Sequence, residues 1–338
     1  MTTMLILVIV AALLFDFMNG WNDSANAIAT VVSTRVMTPI VAVIFAASLN
    51  FLGALGHEKV AKMIGGGLVD ASLLMGHQYV ILAAMLAAAT WVYVCTMRGL
   101  PISGSHSLIG GLLGASAGAF GIEVVKSAGI IKVLAALVLS PVLGFILGYI
   151  LLVIVYWIAY FMKPKTVRKS FGRMQIISCG FMAYTHGMND AQKVMGVIAL
   201  ALVLGGQLTS TADGVPTHIP LWVKITCATV MGVGTAAGGW RVIKTLGMKL
   251  AHIRPIEGFA AETAAGIVLT LKAGLGLPVS TTHTVAGSIM GVGTANSAKS
   301  VQWSVGKKMV YAWILTLPAA AILGALLALI GKFFFGQN

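Results

Sequence analysis

Charged side chains are scarce in this chain of 338 residues. Asp, Glu, Lys and Arg together make up 9% of the sequence, whereas 58% of it is hydrophobic and the mean hydropathy is +0.96. Soluble domains carry about 25% charged residues. No long polar stretch remains that could form a separate soluble domain, which excludes a large soluble enzyme. The composition therefore indicates a polytopic protein of the lipid bilayer.

Paired cysteines and common catalytic signatures are also missing. The three cysteines lie apart inside apolar segments and form no CxxC pair, which excludes a disulfide framework and a cysteine-rich metal site. The sequence contains neither a P-loop signature nor an HExxH motif. We therefore expect a protein that is not an enzyme and that needs no cofactor.

What the sequence does contain is about 10–12 apolar segments, several of them too short to cross a bilayer alone. These lengths predict an all-α membrane protein with broken helices and re-entrant hairpins. The stretch GWNDSANA (20–27) and a second copy, GMNDAQK (187–193), place an Asn-Asp pair inside or beside an apolar run. Because a glycine precedes each pair and permits unwinding, each copy predicts a break in a membrane helix.

The chain repeats itself in one order. The matched blocks are 20–23 with 187–190, 60–65 with 242–247, 100–106 with 277–283, and Pro141 with Pro318. The offset between matched positions is larger for the later blocks than for the Asn-Asp pairs, because the second half carries an extra polar segment, 205–220. We infer a first repeat over 1–162, a basic cytoplasmic linker over 163–173 and a second repeat over 174–338.

Basic residues indicate the orientation of the two repeats. The net charge is +13, and five Lys or Arg lie in 163–173, four in 240–254 and three in 299–308. Lys and Arg gather in the cytoplasmic loops of membrane proteins, so we place these segments there and expect no nucleic-acid partner. An odd number of crossings per half then gives inverted-topology repeats, with both termini on the extracellular or periplasmic side.

The Asn-Asp pairs are the first candidate site. A charged side chain at bilayer depth costs at least about 2.5–3.5 kcal/mol, so two such pairs at matched positions indicate a function. Carboxylate and amide oxygens suit small hard cations, so Asn22, Asp23, Asn189 and Asp190 are candidate ligands of a coupling ion, and metal ligands if that ion is Na⁺. The alternative is that these residues cap half-helices, and both roles can hold together.

Two hydroxyl-rich turns form the second candidate site. LPISGSHS (100–107) and LPVSTTHT (277–284) each place Pro before a Ser/Thr turn that opens an apolar helix. Free N–H groups and the dipole at a helix N-terminus favour an anion, and two such termini can hold one tetrahedral oxyanion. The candidate phosphate ligands are Ser103, Gly104, Ser105, Ser280, Thr281, Thr282 and Asn26.

Four further polar residues lie in or beside apolar segments. Glu262 has no acidic counterpart in the first half, and a lone acid in a membrane segment is a candidate coupling-ion or proton site. His106 and His283, three residues past the first serine of each turn, either carry a proton or stay neutral in a structural hydrogen bond. Asn50 serves either a helix–helix hydrogen bond or binding.

These motifs together resemble the inorganic phosphate transporter (PiT) family over nearly the whole chain. The matching stretches are DFMNGWNDSANAIAT (16–30), LPISGSHSLIGG (100–111), THGMNDAQKVMG (185–196), GFAAETAAG (258–266) and LPVSTTHTVAGSIMG (277–291). The resemblance implies an inverted-repeat homodimer that moves inorganic phosphate together with Na⁺ or H⁺. The short linker is similar to that of prokaryotic members, which implies the cell inner membrane. Animal members tend to carry glutamate at the position of Asn50.

We expect a phosphate:cation symporter that works by alternating access around a site at the middle of the bilayer. The alternatives are a symporter of sulfate or another tetrahedral oxyanion, an anion channel with the Ser/Thr turns as its filter, and a membrane enzyme with an aspartyl dyad. The choice between Na⁺ and H⁺ stays open, since carboxylates suit either ion.

Overall fold

The computed structural model describes residues 2–56, 58–66, 74–211, 214–275 and 280–335, which contain twelve α-helices. The first six are α1 (Thr3–Ser33), α2 (Pro39–Ala54), α3 (Lys59–Gly66), α4 (Tyr79–Met97), α5 (Gly104–Phe120) and α6 (Ser127–Ala159). The last six are α7 (Pro164–Leu204), α8 (Leu221–Ala237), α9 (Trp240–Lys244), α10 (Pro255–Gly274), α11 (Thr281–Asn296) and α12 (Trp303–Phe335). Residues 277–279, the start of the second hydroxyl-rich turn, lie outside the described part.

Five helices are long and apolar enough to cross a bilayer by themselves. They are α1, α4, the stretch Val133–Ala159 of α6, α7 and α12. The pair Leu221–Ala237 and Trp240–Lys249 bends by 60° and forms a sixth candidate span. Proline stands in the first turn of α2, α7 and α10, where its missing N–H breaks no helical hydrogen bond. The prediction of an all-α polytopic membrane protein is confirmed.

Helices of the two halves interlock. When the twelve described helices are paired in chain order across the predicted repeat, α5 and α6 correspond to α11 and α12. Yet α5 packs mainly on α12, and α11 packs on α6. The contacts are close: a Cβ on Gly114 would lie 1.9 Å from the Ala321 carbonyl oxygen, and one on Gly287 would lie 2.3 Å from that of Pro141. Each half therefore completes its packing with the other half.

The predicted helix breaks at the Asn-Asp pairs are wrong. The helix α1 runs without interruption through Asn22 and Asp23, and α7 does the same through Asn189 and Asp190. The preceding glycines serve close packing instead of unwinding. A Cβ on Gly187 would lie 2.1 Å from the carbonyl oxygen of Asn50 in α2, and the equivalent Gly20 packs against α8. Side chains on neighbouring helices contact these polar groups: Asn22 donates to Thr96 in α4, and Asp23 accepts from Thr282 in α11.

This close packing predicts that Gly187→Ala destabilises the protein. The added methyl group would meet the α2 backbone, and overpacking of this kind costs about 1–3 kcal/mol. We expect a lower midpoint of thermal unfolding for the detergent-purified variant. The control is Gly172→Ala on the same helix, where the nearest atom, Cγ2 of Val36, is 3.8 Å from the new Cβ. An unchanged midpoint for Gly187→Ala would contradict the packing described here.

The two ends of α1 are about 46 Å apart for a straight helix of this length. The start of α1 and the end of α12 both lie close to residues 78–79. A Cβ on Gly205 would lie 3.1 Å from Leu5 and 2.9 Å from Gln78, and one on Gly331 would lie 2.8 Å from Tyr79. At the other end of α1, a cavity of about 790 Å³ is lined by Arg35, Arg168 and Arg254 among others. The basic segment 163–173 provides the first turns of α7 on this arginine-lined face.

Candidate functional site

The carboxylates of the two halves meet in one buried pocket. Ligand atoms of Asp23, His186 and Asp190 all lie within 4.8 Å of one another, and each of these residues is buried. Asp23 comes from α1 and Asp190 from α7, so the two matched segments contribute equivalent acids. The structure thus brings together the two Asn-Asp pairs that the sequence analysis singled out.

Each half also sends a polar side chain to the carboxylate of the other half. Asn19 Nδ2 donates a hydrogen bond to Asp190 Oδ2 at 3.2 Å. His186 Nε2 lies 3.8 Å from Asp23 Oδ2. Asn19 directly precedes Gly20 and His186 directly precedes Gly187, so the two side chains occupy matched positions in the repeat. The duplicated pattern therefore extends one helical turn before the two acids, and both turns face the pocket.

The second hydroxyl-rich turn reaches the same pocket. Thr282 Oγ1, in the first turn of α11, donates a hydrogen bond to Asp23 Oδ1 at 2.8 Å. Asn26 Nδ2 donates to the same oxygen at 2.8 Å and lies 3.0 Å from Thr282 Oγ1. Thr281 Oγ1 lies 3.4 Å from Asp190 Oδ2. The N-terminus of α11 therefore abuts both carboxylates.

The first hydroxyl-rich turn abuts the pocket through Gly104. Ser103 is the N-cap of α5 and accepts a hydrogen bond from the His106 N–H at 3.2 Å. Ser280 caps α11 in the same way, with the His283 N–H at 3.2 Å. A Cβ on Gly104 would lie 1.6 Å from Asn19 Oδ1, so only glycine permits this approach of the helix start. Two capped helix N-termini thus converge beside the paired acids.

Several oxygens in the pocket are buried and lack a hydrogen-bond donor among the described residues. They are Asn19 Oδ1, Asn22 Oδ1, Asp23 Oδ2 and Asn26 Oδ1 from α1, and Asn189 Oδ1 from α7. Buried polar atoms normally have a partner, so a group of such oxygens is typical of a binding site. Carboxylate and amide oxygens are the ligands that small hard cations prefer.

Comparison with known proteins agrees with this arrangement. The sequence profile of the phosphate transporter family matches residues 19–324. The chain belongs to the phosphate transporter family. It is 43% identical to a "Probable low-affinity inorganic phosphate transporter" of Bacillus subtilis, in an alignment that covers 95% of each chain. A protein of the same name from Rhizobium meliloti is 42% identical over 96% of this chain and 95% of its own.

One solved structure shares the fold of this transporter. It is described as "The sodium-dependent phosphate transporter" and superposes with a TM-score of 0.90 at 25% sequence identity. The match covers 98% of this chain and 100% of the other. The relatives are transporters, in agreement with the expectation that this chain is not an enzyme.

A buried lysine of the transporter was not among the expected site residues. Lys193 Nζ lies 2.8 Å from Asp190 Oδ1, and the residue is 1% exposed. Lys193 follows Asp190 at the same spacing as Asn26 follows Asp23, so the repeat places it where the first half has asparagine. Extending the alignment of GWNDSAN with GMNDAQK to its last position would have revealed it.

Glu262 lies apart from the pocket of the transporter. Its carboxylate accepts hydrogen bonds from Gln175 Nε2 at 3.1 Å and from the hydroxyls of Thr30 and Ser178. Thr30 follows Asp23 by seven residues, which is about 10 Å along α1. Gln175 in turn accepts from Thr34 Oγ1 at 2.9 Å, and Thr34 lines the arginine-lined cavity. Glu262 therefore lies between the pocket and that cavity.

The Glu262 cluster of the transporter has no polar counterpart in the repeat. The positions matched with Thr30, Gln175, Ser178 and Glu262 are Val197, Val8, Ala11 and Met85, all buried and apolar. The matched positions show that apolar side chains are sufficient to pack these helices. The four polar side chains therefore belong to a feature that the duplication does not share.

The histidine beside the carboxylates is His186. His186 Nδ1 lies 3.1 Å from Asn50 Oδ1, and Asn50 Nδ2 donates to Thr235 at 2.9 Å, which fixes the ring and gives Asn50 a supporting role. His106 and His283, the expected candidates, instead pack on each other with ring centroids 4.9 Å apart. His283 also stacks on Trp313 at 4.0 Å. The sequence analysis therefore missed the histidine that reaches both acids.

Proposed function

We propose that this protein is a symporter that moves inorganic phosphate together with Na⁺ or H⁺ by alternating access. The observation that carries the proposal is the pocket itself, where two acids from the two halves meet two helix N-termini. Phosphate is the substrate in the names of the relatives. The absence of a P-loop from the sequence fits transport driven by an ion gradient.

Phosphate binds at the starts of α5 and α11. The first-turn N–H groups and the helix dipoles favour an anion there. Hydroxyl and amide groups that surround this place supply further donors: Ser103, Ser105, Ser280, Thr281, Thr282 and Asn26. All of them are buried, so phosphate loses its water on binding and needs these donors in exchange.

The coupling cation binds beside phosphate, in the pocket where the Asn22-Asp23 pair meets the matched Asn189-Asp190 pair. Without a cation, uncompensated carboxylate charge would face an anion in a medium of low dielectric, which is costly. Phosphate therefore binds well only after the cation has neutralised that charge, and this order couples the two fluxes. The solved structure of similar fold is described as sodium-dependent, which favours Na⁺.

The transporter lies in the cell inner membrane with the arginine-lined face in the cytoplasm and both termini outside. Support comes from Arg35, Arg168 and Arg254 on that face, since Lys and Arg favour the cytoplasmic side. The cavity serves as the inner vestibule, and its cationic rim attracts phosphate. Glu262, between vestibule and pocket, binds the coupling ion in transit.

Uptake into proteoliposomes tests the proposal. We expect labelled phosphate to accumulate above its external concentration when an inward Na⁺ gradient or an inward H⁺ gradient is imposed separately. Excess unlabelled sulfate leaves this uptake unchanged, whereas competition by sulfate would favour the wider class of tetrahedral oxyanions. Counterflow of phosphate without a gradient distinguishes a carrier from a channel. Equilibration without accumulation under either gradient would contradict symport.

A further inference from the structure

The two halves of the pocket treat their acids differently. Asp190 has both oxygens engaged: Oδ1 lies 2.8 Å from Lys193 Nζ, and Oδ2 accepts a hydrogen bond from Asn19. Asp23 has Oδ1 engaged by Asn26 and Thr282, while its Oδ2 lacks a hydrogen-bond donor among the described residues. Two matched positions differ between the halves. His186, whose Nε2 lies 3.8 Å from Asp23 Oδ2, stands where the first half has Asn19, and Lys193 stands where it has Asn26. The second of these positions sets an ammonium group against an amide.

Asparagine and lysine have opposite effects on a cation. The amide of Asn26 carries an acceptor oxygen, and this buried Oδ1 accepts no hydrogen bond from the described part of the chain. An ammonium group has three donors and no acceptor, so Lys193 offers no ligand atom to a metal ion and repels it by charge. At 2.8 Å from Asp190, the ammonium takes the position of a cation bound by that carboxylate.

A lysine buried to this degree is unusual. Its side chain is 2% exposed, and Lys193 is one of the largest side chains that are fully buried. Burying a charge is costly unless it is paired, and replacing such a pair by apolar residues is often neutral or stabilising. The next two residues along α7 are apolar, with Val194 and Met195 at 0% and 1% exposure. Stability alone therefore gives no reason for the lysine.

We propose that Lys193 is a built-in counter-ion that replaces a mobile coupling cation at the second Asn-Asp pair, so that the pocket binds one mobile cation, at Asp23, with each phosphate. This inference rests on the proposed symport of phosphate. The ammonium compensates Asp190 from within the chain, so of the two paired acids only Asp23 has to be neutralised by an ion from solution. Replacing Lys193 by asparagine would create a second site like that of Asn26.

The test measures binding of labelled inorganic phosphate to the detergent-purified full-length chain. Na⁺ is varied against choline at constant ionic strength, and the titration is repeated at several pH values. For Lys193→Asn we expect about a tenfold or greater loss of phosphate affinity without Na⁺, since an unpaired buried acid then faces the anion. Na⁺ or protons restore the affinity. The number of cations taken up with each phosphate, read from the slope of affinity against cation concentration, exceeds that of wild type by one.

The control is Lys193→Met, which keeps the length of the side chain but has neither charge nor an oxygen ligand. We expect Lys193→Met to lose as much phosphate affinity without Na⁺ as Lys193→Asn does. Na⁺ then restores less of that affinity in Lys193→Met than in Lys193→Asn. Wild-type affinity with an unchanged cation order in Lys193→Asn overturns the proposal, as does a loss that no cation restores in protein that is monodisperse on size exclusion. If Lys193→Asn does not fold, the same outcomes are read from Lys193→Gln. Failure of wild type itself to bind phosphate would instead refute the proposed function.

Discussion

Phosphate uptake is expected to fall by about a hundredfold or more when Asp23 is replaced by asparagine. The exchange removes the charge of Asp23, whose Oδ2 lacks a hydrogen-bond donor among the described residues, and it leaves the shape of the side chain nearly unchanged. Loss of one partner of a buried charge pair costs about 2–5 kcal/mol, and each step of about 1.4 kcal/mol corresponds to a factor of ten in affinity. Uptake into proteoliposomes under the gradient that drives wild type measures the effect.

The matched control for Asp23→Asn is Glu58→Gln. Glu58 is an acid outside the pocket that pairs with Lys224 and lies 3.9 Å from Lys62, with 27% of its side chain exposed. Exposed pairs contribute about 0–1 kcal/mol, so the control retains uptake. Both variants are compared at equal amounts of inserted, monodisperse protein. Wild-type rates in Asp23→Asn would refute the assignment of the cation site.

Glu262→Gln is expected to abolish accumulation of phosphate while leaving phosphate counterflow in place. Glutamine keeps the size of the side chain and can retain the hydrogen bonds to Thr30 and Ser178, but it carries no charge that binds or releases an ion. The pocket that binds phosphate lies about two helical turns away along α1 and stays intact. A carrier that still exchanges phosphate but no longer passes its coupling ion between pocket and vestibule gives this pair of results.

A control for Glu262→Gln lies on the same helix. Glu257 pairs with Arg254 at 2.6 Å and accepts a hydrogen bond from Tyr156 at the start of α10. Because Glu257→Gln weakens a helix cap at the vestibule but removes no member of the Glu262 cluster, accumulation persists at near the wild-type level. Accumulation by Glu262→Gln equal to that of the control would show that Glu262 has a structural role.

The sequence was sufficient to find the pieces of the pocket because the chain is duplicated. A single Asn-Asp pair or Ser/Thr turn occurs in many proteins, whereas matched copies at 20–23 and 187–190 indicate a shared centre. The charge-poor composition and the lengths of the apolar runs were enough for the fold class. The convergence of Asp23 and Asp190 in space is the consequence that the structure shows.

What the sequence did not reveal depends on packing. Gly20 and Gly187 suggested unwinding of the helix, but glycine is also needed where another helix packs closely. Only the contacts with Met231 and Asn50 show that close packing is the reason here. The roles of His186 and Lys193 depend on which face of α7 meets α1. Likewise, Glu262 stands alone in its segment, and its partners Gln175 and Ser178 come from α7, far away in sequence.

The most direct test of the account is an experimental density map of the protein with phosphate and Na⁺ bound. We expect tetrahedral density between the starts of α5 and α11, within hydrogen-bond distance of Ser103 or Ser280, and a cation next to Asp23. Phosphate density elsewhere, with Asp23 and Asp190 in separate places, would contradict it.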